Sequence, residues 1–344
     1  MKNWARKCGF CVAMSILMPV FLTPIFAQDP QFTQFYATGL YLNPSLTGDN
    51  IGNRIMANYR NQWPSIPKGY VSYGAYYDKN LHAINSGIGV GIIQDKAGLD
   101  GYRWTSASLF YSYNFKVAKD IRLRMGAKFS QNQLNINDQS LVFASDLVDD
   151  NSFDRPNIQS NVNYPSIGAG LTLHNEEVFW VGIGASHLNK PVYAFSGDNN
   201  IKQPIKVSAQ AGYNTKRKFG RGAMRNSYFT FIAHYKAQEK WDQVDVGMYW
   251  QKRNQALVLG IWYRGIPGLK SYKPQYINHD ALNFLVGSMV GNFYFGYSYD
   301  VTVSRLRRDS GGSHELSVAI EWVNEAKFKP FRKHTLRKIP CAKF

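Results

Sequence analysis

Apolar and polar residues alternate with period two along much of this chain, most plainly over residues 292–304. There Phe293, Phe295, Tyr297, Tyr299, Val301 and Val303 fall on one face, and Asn292, Gly296, Ser298, Asp300 and Thr302 on the other. Successive strand residues point to opposite sides, so this is a strand with one apolar and one wet face. The pattern recurs in fourteen segments: 54–60, 70–78, 86–95, 102–117, 121–136, 165–174, 177–187, 205–215, 226–238, 241–252, 255–264, 280–290, 292–304 and 313–322. Segments of roughly ten residues with weak individual hydrophobicity are the signature of a transmembrane β-barrel. The expected fold is therefore all-β: a single transmembrane antiparallel barrel of about 14 strands, an even number.

The faces agree from strand to strand. Ile121, Leu123, Met125, Ala127 and Phe129 would face lipid, with Arg122, Arg124, Gly126, Lys128 and Ser130 facing in. Val244, Val246, Met248 and Trp250 oppose Gln243, Asp245, Gly247 and Gln251. Leu316, Val318, Ile320 and Trp322 oppose Glu315, Ser317 and Glu321. A charge on the lipid face costs a few kcal/mol near the midplane. This parity places Arg122, Arg124, Lys128, Lys206, Asp245, Asp300 and Glu315 in the lumen. The interior is then wet or filled by a polar plug. Inward glycines (Gly87, Gly89, Gly91, Gly168, Gly170, Gly182, Gly184) fit either a body close to the wall or barrel curvature alone.

Connection lengths carry the same topology. The longest, 137–164, 188–204 and 265–279, all follow odd-numbered strands, and most connections after even strands are short. With short turns on the periplasmic side, both ends of the barrel, and with them the terminal segments 28–53 and 323–344, are expected there.

Four segments follow. Residues 1–27 read as a signal peptide: Lys2, Arg6 and Lys7 precede an apolar run, and Phe26-Ala27 ahead of Gln28 offers a cleavage site. Residues 28–53 are aromatic, nearly uncharged and not strand-like, and suit a periplasmic or plug segment. Residues 54–322 are the barrel. Residues 323–344 form a basic tail carrying Lys327, Lys329, Arg332, Lys333, Arg337, Lys338 and Lys343, expected to stay unfolded when alone.

Composition narrows the function. No stretch reaches the length of a helical span. Mean hydropathy is negative although aromatics are 15% of the chain, as expected where every second residue meets lipid. The net charge of +17 would ordinarily suggest nucleic acid, but export makes anionic headgroups, surface polysaccharide or an acidic partner better candidates. Cys8 and Cys11 lie in the signal, so the mature chain keeps Cys341 and has no internal disulfide.

No GxSxG, HExxH, Walker or GxGxxG pattern occurs in the required setting. Ser186-His187 and Ser313-His314 are ordinary neighbours in a chain of this size, and His187, His234 and His314 read as lumen or interface residues. Asp146, Asp149, Asp150 and Asp154 lack calcium-loop spacing and read as a solvated acidic loop. No enzyme, metal or cofactor is expected.

Three stretches resemble the opening of the PorP/SprF family of outer-membrane proteins. They are Gln28-Asp29-Pro30-Gln31-Phe32-Thr33-Gln34-Phe35-Tyr36, then Tyr41-Leu42-Asn43-Pro44, then Asn58-Tyr59-Arg60-Asn61-Gln62-Trp63-Pro64. Gly312-Ser313-His314-Glu315-Leu316-Ser317 resembles its closing strand. Ser45 stands where that pattern leads us to expect alanine. The resemblance implies a non-enzymatic barrel of the type IX secretion system and the gliding machinery coupled to it. Such a barrel supports secretion and surface anchoring of particular cargo, adhesins with type B C-terminal domains, and associates with periplasmic secretion components. On it, Phe32, Phe35, Tyr36, Tyr41, Leu42, Asn43, Pro44, Tyr59, Arg60 and Trp63 are the expected plug or partner-binding residues. The competing reading is a passive or FadL-like outer-membrane transport channel.

Overall fold

The computed structural model describes residues 29–35, 37–67, 69–98, 101–137, 159–175, 178–215, 227–252, 256–266, 278–304 and 310–323. The signal segment, Tyr36, the acidic stretch 146–154 and nearly all of the basic tail lie outside them.

Fourteen antiparallel strands close into one barrel. They are β1 (Asn53–Gln62), β2 (Tyr70–Leu81), β3 (Ser86–Ala97), β4 (Tyr102–Lys116), β5 (Ile121–Asn135), β6 (Asn161–Asn175), β7 (Phe179–Ser186), β8 (Lys206–Asn214), β9 (Ser227–Gln238), β10 (Trp241–Lys252), β11 (Leu257–Gly265), β12 (His279–Val290), β13 (Phe293–Thr302) and β14 (Ser313–Trp322). Each strand pairs with its sequence neighbour. The ring closes where β1 meets β14, from Asn53 opposite Trp322 to Gln62 opposite Ser313. No helix among the described residues is long and apolar enough to cross a membrane.

The alternation read from the sequence is the alternation seen. Met125 and Phe129 are exposed on the outer face of β5, while Arg124, Lys128 and Ser130 are buried within. The same holds for Val246 and Met248 against Asp245 in β10, and for Leu316 and Val318 against Glu315 and Ser317 in β14. The outer wall carries a belt of Ile88, Val90, Leu109, Ile167, Val181, Ile183, Phe284 and Val286. A continuous apolar surface of this kind needs a nonpolar solvent.

Two strand boundaries depart by more than two residues from the sequence expectation. β2 runs on to Leu81, so the connection to β3 shrinks to one 3-10 turn, His82–Ile84, with Asn85 left-handed at φ 51°. β6 begins at Asn161 instead of 165, passing through Pro165. Proline is excluded from central strands because it lacks an N–H. Here β6 pairs with β7 only from Gly168 onward, so Pro165 sits on a free edge. The Asn189 side chain covers that edge, accepting from the Ile167 N–H and donating to the Pro165 carbonyl.

The strand ends define two rims. Asn53 and Trp322 lie at one, with the connections that follow even strands. The strand ends that the long connections 136–160, 187–205 and 266–278 join lie at the other.

If the outer belt faces hydrocarbon, Phe129 tests it, because it lies mid-strand between Leu109 and Ile167. Phe129→Arg should lower the unfolding free energy in lipid vesicles by about 2–4 kcal/mol. Denaturant titration checks this, and an unchanged midpoint would contradict the membrane assignment of this face.

Candidate functional site

Residues 29–52 do not enter the sheet. The described ones, 29–35 and 37–52, run through the barrel interior, nearly all buried. Their only regular structure is one helical turn, α1 (Gly39–Leu42), and a 3-10 turn at Pro44–Leu46. A segment this short leaves many backbone groups unpaired, and burial makes each of them costly unless the wall supplies a partner. The inward strand faces do so at four places.

The first is at the long-connection rim. The Asp29 carboxylate meets His187 Nε2 at 3.0 Å, Lys206 Nζ at 3.3 Å, Gln203 Nε2 at 3.0 Å and Gln238 Nε2 at 3.2 Å. The Asp29 N–H donates to Gln238 Oε1. Burial alone would raise this carboxyl, but His187 and Lys206 outweigh burial and hold it well below the usual carboxylate range. Lys206 Nζ also lies 3.8 Å above the centre of the Tyr41 ring, and Lys128 Nζ 5.7 Å from it.

The second is an ionic knot around Thr33 and Gln34. Both backbone N–H groups donate to the Glu315 carboxylate, at 2.6 and 3.0 Å. Thr33 Oγ1 donates to Asp300 and accepts from Arg60 and Arg264. Arg60 spans Asp300 and Glu315 at 2.9 and 3.3 Å, and Arg264 spans Asp245 and Asp300 at 2.8 and 3.1 Å. Gln34 donates to Ser298 and accepts from Ser317. Phe35 packs on His234, ring centres 5.1 Å apart.

The third is a floor where the segment lies against bare backbone. Asn43 caps the 3-10 turn by accepting from the Ser45 N–H and hydroxyl, and donates to Thr172 and the Leu171 carbonyl. Ser45 Oγ meets Thr172 Oγ1 at 2.6 Å. The Leu42 carbonyl accepts from Ser208. A Cβ added at Gly170 would collide with the Asn43 side chain, and one at Gly184 with the Leu42 carbonyl. At these positions glycine makes room for the segment, whereas at Gly91 the neighbours are Tyr76 and Phe110 of the wall itself.

The fourth holds the segment where it joins β1. Asp78 accepts from the Gly48 N–H, from Asn50 and from two nitrogens of Arg54. Arg124 donates to the Ser45 and Thr47 carbonyls and lies 3.5 Å from Asp49.

The structure therefore brings Phe32, Phe35, Tyr41, Leu42, Asn43, Pro44, Arg60, Arg124, Lys128, Lys206, Asp245, Asp300 and Glu315 into one interior region. It leaves others out. Tyr59 is on the outer face, 5.3 Å from the Tyr73 ring, because it is one residue off the inward parity of Arg60. Trp63 lies past the end of β1 with φ 59° and packs edge-on against Tyr70. Arg122 is half-buried near the rim, in register with His174. Asn53 and Trp322 share a rim, but Asp29 lies at the opposite one, because the segment crosses the lumen instead of capping one mouth.

Sequence reasoning missed Asp29, Thr33, Gln34, Asp78 and Arg264. Strand parity places Asp78 and Arg264 inward and could have found them. The others lie in an aperiodic segment and carry no such signal.

Glu315→Ala would strip acceptors from two backbone N–H groups and from Arg60, a loss of about 3–5 kcal/mol for a broken buried pair. Gly170→Val would wedge the floor at a cost of about 1–3 kcal/mol. Both variants should expose Phe32, Phe35 and Tyr41 to chymotrypsin in a barrel that still folds by its heat-modifiable gel mobility. Resistance equal to the parent in both would mean that these contacts do not hold the segment.

Solved structures similar to the chain include the Pseudomonas putida toluene transporter TodX, 10% identical with a TM-score of 0.49, covering 82% of this chain and 94% of that one. The Ralstonia pickettii toluene transporter TbuX is similar at 11% identity and a TM-score of 0.48, covering 83% of this chain and 94% of that one. Likeness at this level says nothing of substrate. No curated protein has a significant sequence match to the chain. The family model of the type IX secretion system membrane protein PorP/SprF matches residues 25–320, nearly the whole barrel and the segment inside it, and the chain belongs to that family.

Proposed function

We propose that this protein is a plugged, non-enzymatic outer-membrane barrel that supports secretion and surface anchoring of particular type IX cargo, adhesins with type B C-terminal domains, in connection with gliding. The observation that carries this reading is the family membership over residues 25–320. The filled lumen supports it. Asp245, Asp300 and Glu315 with Arg60 and Arg264 are engaged with one another and with Thr33, so they do not line an open path for solutes. A passive channel would need the segment to leave.

In this reading the rim with Asn53 and Trp322 faces the periplasm and the long connections face the cell surface. The segment 29–52 then spans from the periplasmic rim to the surface mouth. In that orientation the chain leaves β14 at the periplasmic rim, and the charge of the basic tail suits an acidic secretion component or an anionic envelope polymer there.

Deletion of the gene should remove one or a few adhesins from the cell surface while most type IX cargo is still exported, as read by surface proteomics. A general export failure would identify a core translocon part instead. Intact adhesins with impaired uptake of a nutrient would identify a transporter.

A further inference from the structure

Past the apolar belt, the outer wall of β3 to β6 changes character. β4, β5 and β6 are each 15 residues long, and a tilted strand needs only about 9–11 to cross hydrocarbon. On the outer face of β4, Leu109, Tyr111 and Phe115 are exposed and apolar, and Ala107 ends the run. Thr105 and Arg103 follow on the same face, toward the long connections.

The strand registers widen this into a polar shelf two rows deep. Gln94, Thr105, Gln133 and Asn163 stand side by side in the first row. Lys96, Arg103, Asn135 and Asn161 form the second. Gln94 donates to Thr105, and Gln133 to Asn161. Among the described residues this outward face of β2 to β6 carries no carboxylate, since Asp78 and Asp95 turn inward.

Lys96 and Arg103 are direct register partners on neighbouring strands. Like charges placed opposite one another repel. Among the described residues no carboxylate lies within ion-pair distance of either. Lys96 Nζ lies 5.7 Å from the centre of the Tyr73 ring, at the edge of the belt. Arg103 lines an open concavity of about 600 Å³ with Gln94, Thr105, Gln133 and Asn135.

Three zones therefore follow one another along a single wall: apolar side chains, then amides and a hydroxyl, then two cations. Paired cations call for a phosphate, which accepts from ammonium and guanidinium groups alike. Side-chain amides both donate and accept, as sugar hydroxyls require. The belt joins the shelf without a gap, so a lipid whose chains lie on the belt sets its headgroup here. We infer that the shelf binds a phosphorylated glycolipid, its phosphate between Lys96 and Arg103, its sugar on Gln94, Thr105, Gln133 and Asn135, and its acyl chains along the belt at Leu109 and Phe129. The binding is a property of the wall and is independent of cargo and of which rim faces the cell surface.

Native mass spectrometry of the full chain in detergent, titrated with diphosphorylated lipid A, tests this. The parent should retain one lipid A. Lys96→Gln combined with Arg103→Gln should weaken that binding about tenfold or more, as expected for two cations at a headgroup. Lipid A stripped of its phosphates should bind the parent about as weakly, and the double variant no worse than the parent. Gln133→Ala should weaken lipid A and leave phosphatidylglycerol unaffected. Lys119→Gln, at the opposite rim, should leave lipid A binding as in the parent. Heat-modifiable gel mobility verifies that each variant is folded. If the double variant does not fold, the phosphate-free lipid on the parent decides, and undiminished binding there overturns the proposal. So does lipid A bound equally by parent and folded double variant, or an equal loss in Lys119→Gln, which would mark diffuse attraction to a basic chain. Phosphatidylglycerol bound as tightly as lipid A would overturn the glycolipid assignment.

Discussion

Hydrocarbon offers no partner to a backbone N–H or C=O, and the rest of this structure depends on that constraint. A strand in lipid must be paired on both sides, so the sheet has to close, and β1 meets β14 along ten residue pairs. Closure then divides every strand into a lipid face and a lumen face. The polar residues that a 344-residue chain must carry are confined to the inside of the ring or to its rims. Where the wall is incomplete, as on the β6 edge beside Pro165, a side chain stands in for the missing strand through Asn189.

Confinement creates the second problem, which is electrostatic. A lumen lined by Arg60, Arg264, Arg124, Asp245, Asp300 and Glu315 must stay hydrated or provide counter-charges and hydrogen bonds at close range. This barrel does the latter with its own N-terminal segment. Thr33 stands between two arginines and Asp300, and Glu315 takes two backbone N–H groups that the segment cannot satisfy internally. The two parts complete one another: the wall lacks partners without the segment, and the segment lacks a fold without the wall.

The interior is also graded along its length. Charged contacts hold the segment at Asp78 and Arg124 near the periplasmic rim of our reading, and at Asp29 near the other. Between them the Asn43–Ser45 turn lies against glycines. Tight packing at the middle and ion pairs at the ends favour one register over its neighbours, because a shift by one residue would move Asn43 off Gly170 and Thr172 and carry carboxylates away from their cations. Ser45, in place of the expected alanine, adds a hydroxyl contact to Thr172 within that register.

The sequence by itself determined the barrel. Period-two alternation is local, so residues such as Phe129, Val246 and Leu316 announce their face without knowledge of any neighbour, and the odd and even connection lengths order the strands. It also determined which charges turn inward, since parity settles Arg124, Lys206 and Glu315 one strand at a time. Only the tertiary structure decided what those charges meet. Asp29 with Lys206, Thr33 with Asp300 and Arg264, and Asn43 with Thr172 are separated by more than a hundred positions, and nothing periodic links an aperiodic segment to a wall. The same holds for the glycines: a missing Cβ is visible in the sequence, but whether it serves curvature or a buried chain depends on what arrives from elsewhere in the fold. Tyr59 and Trp63, grouped with Arg60 by the family resemblance, went elsewhere: Tyr59 is one residue off the inward parity of Arg60, and Trp63 lies past the end of β1.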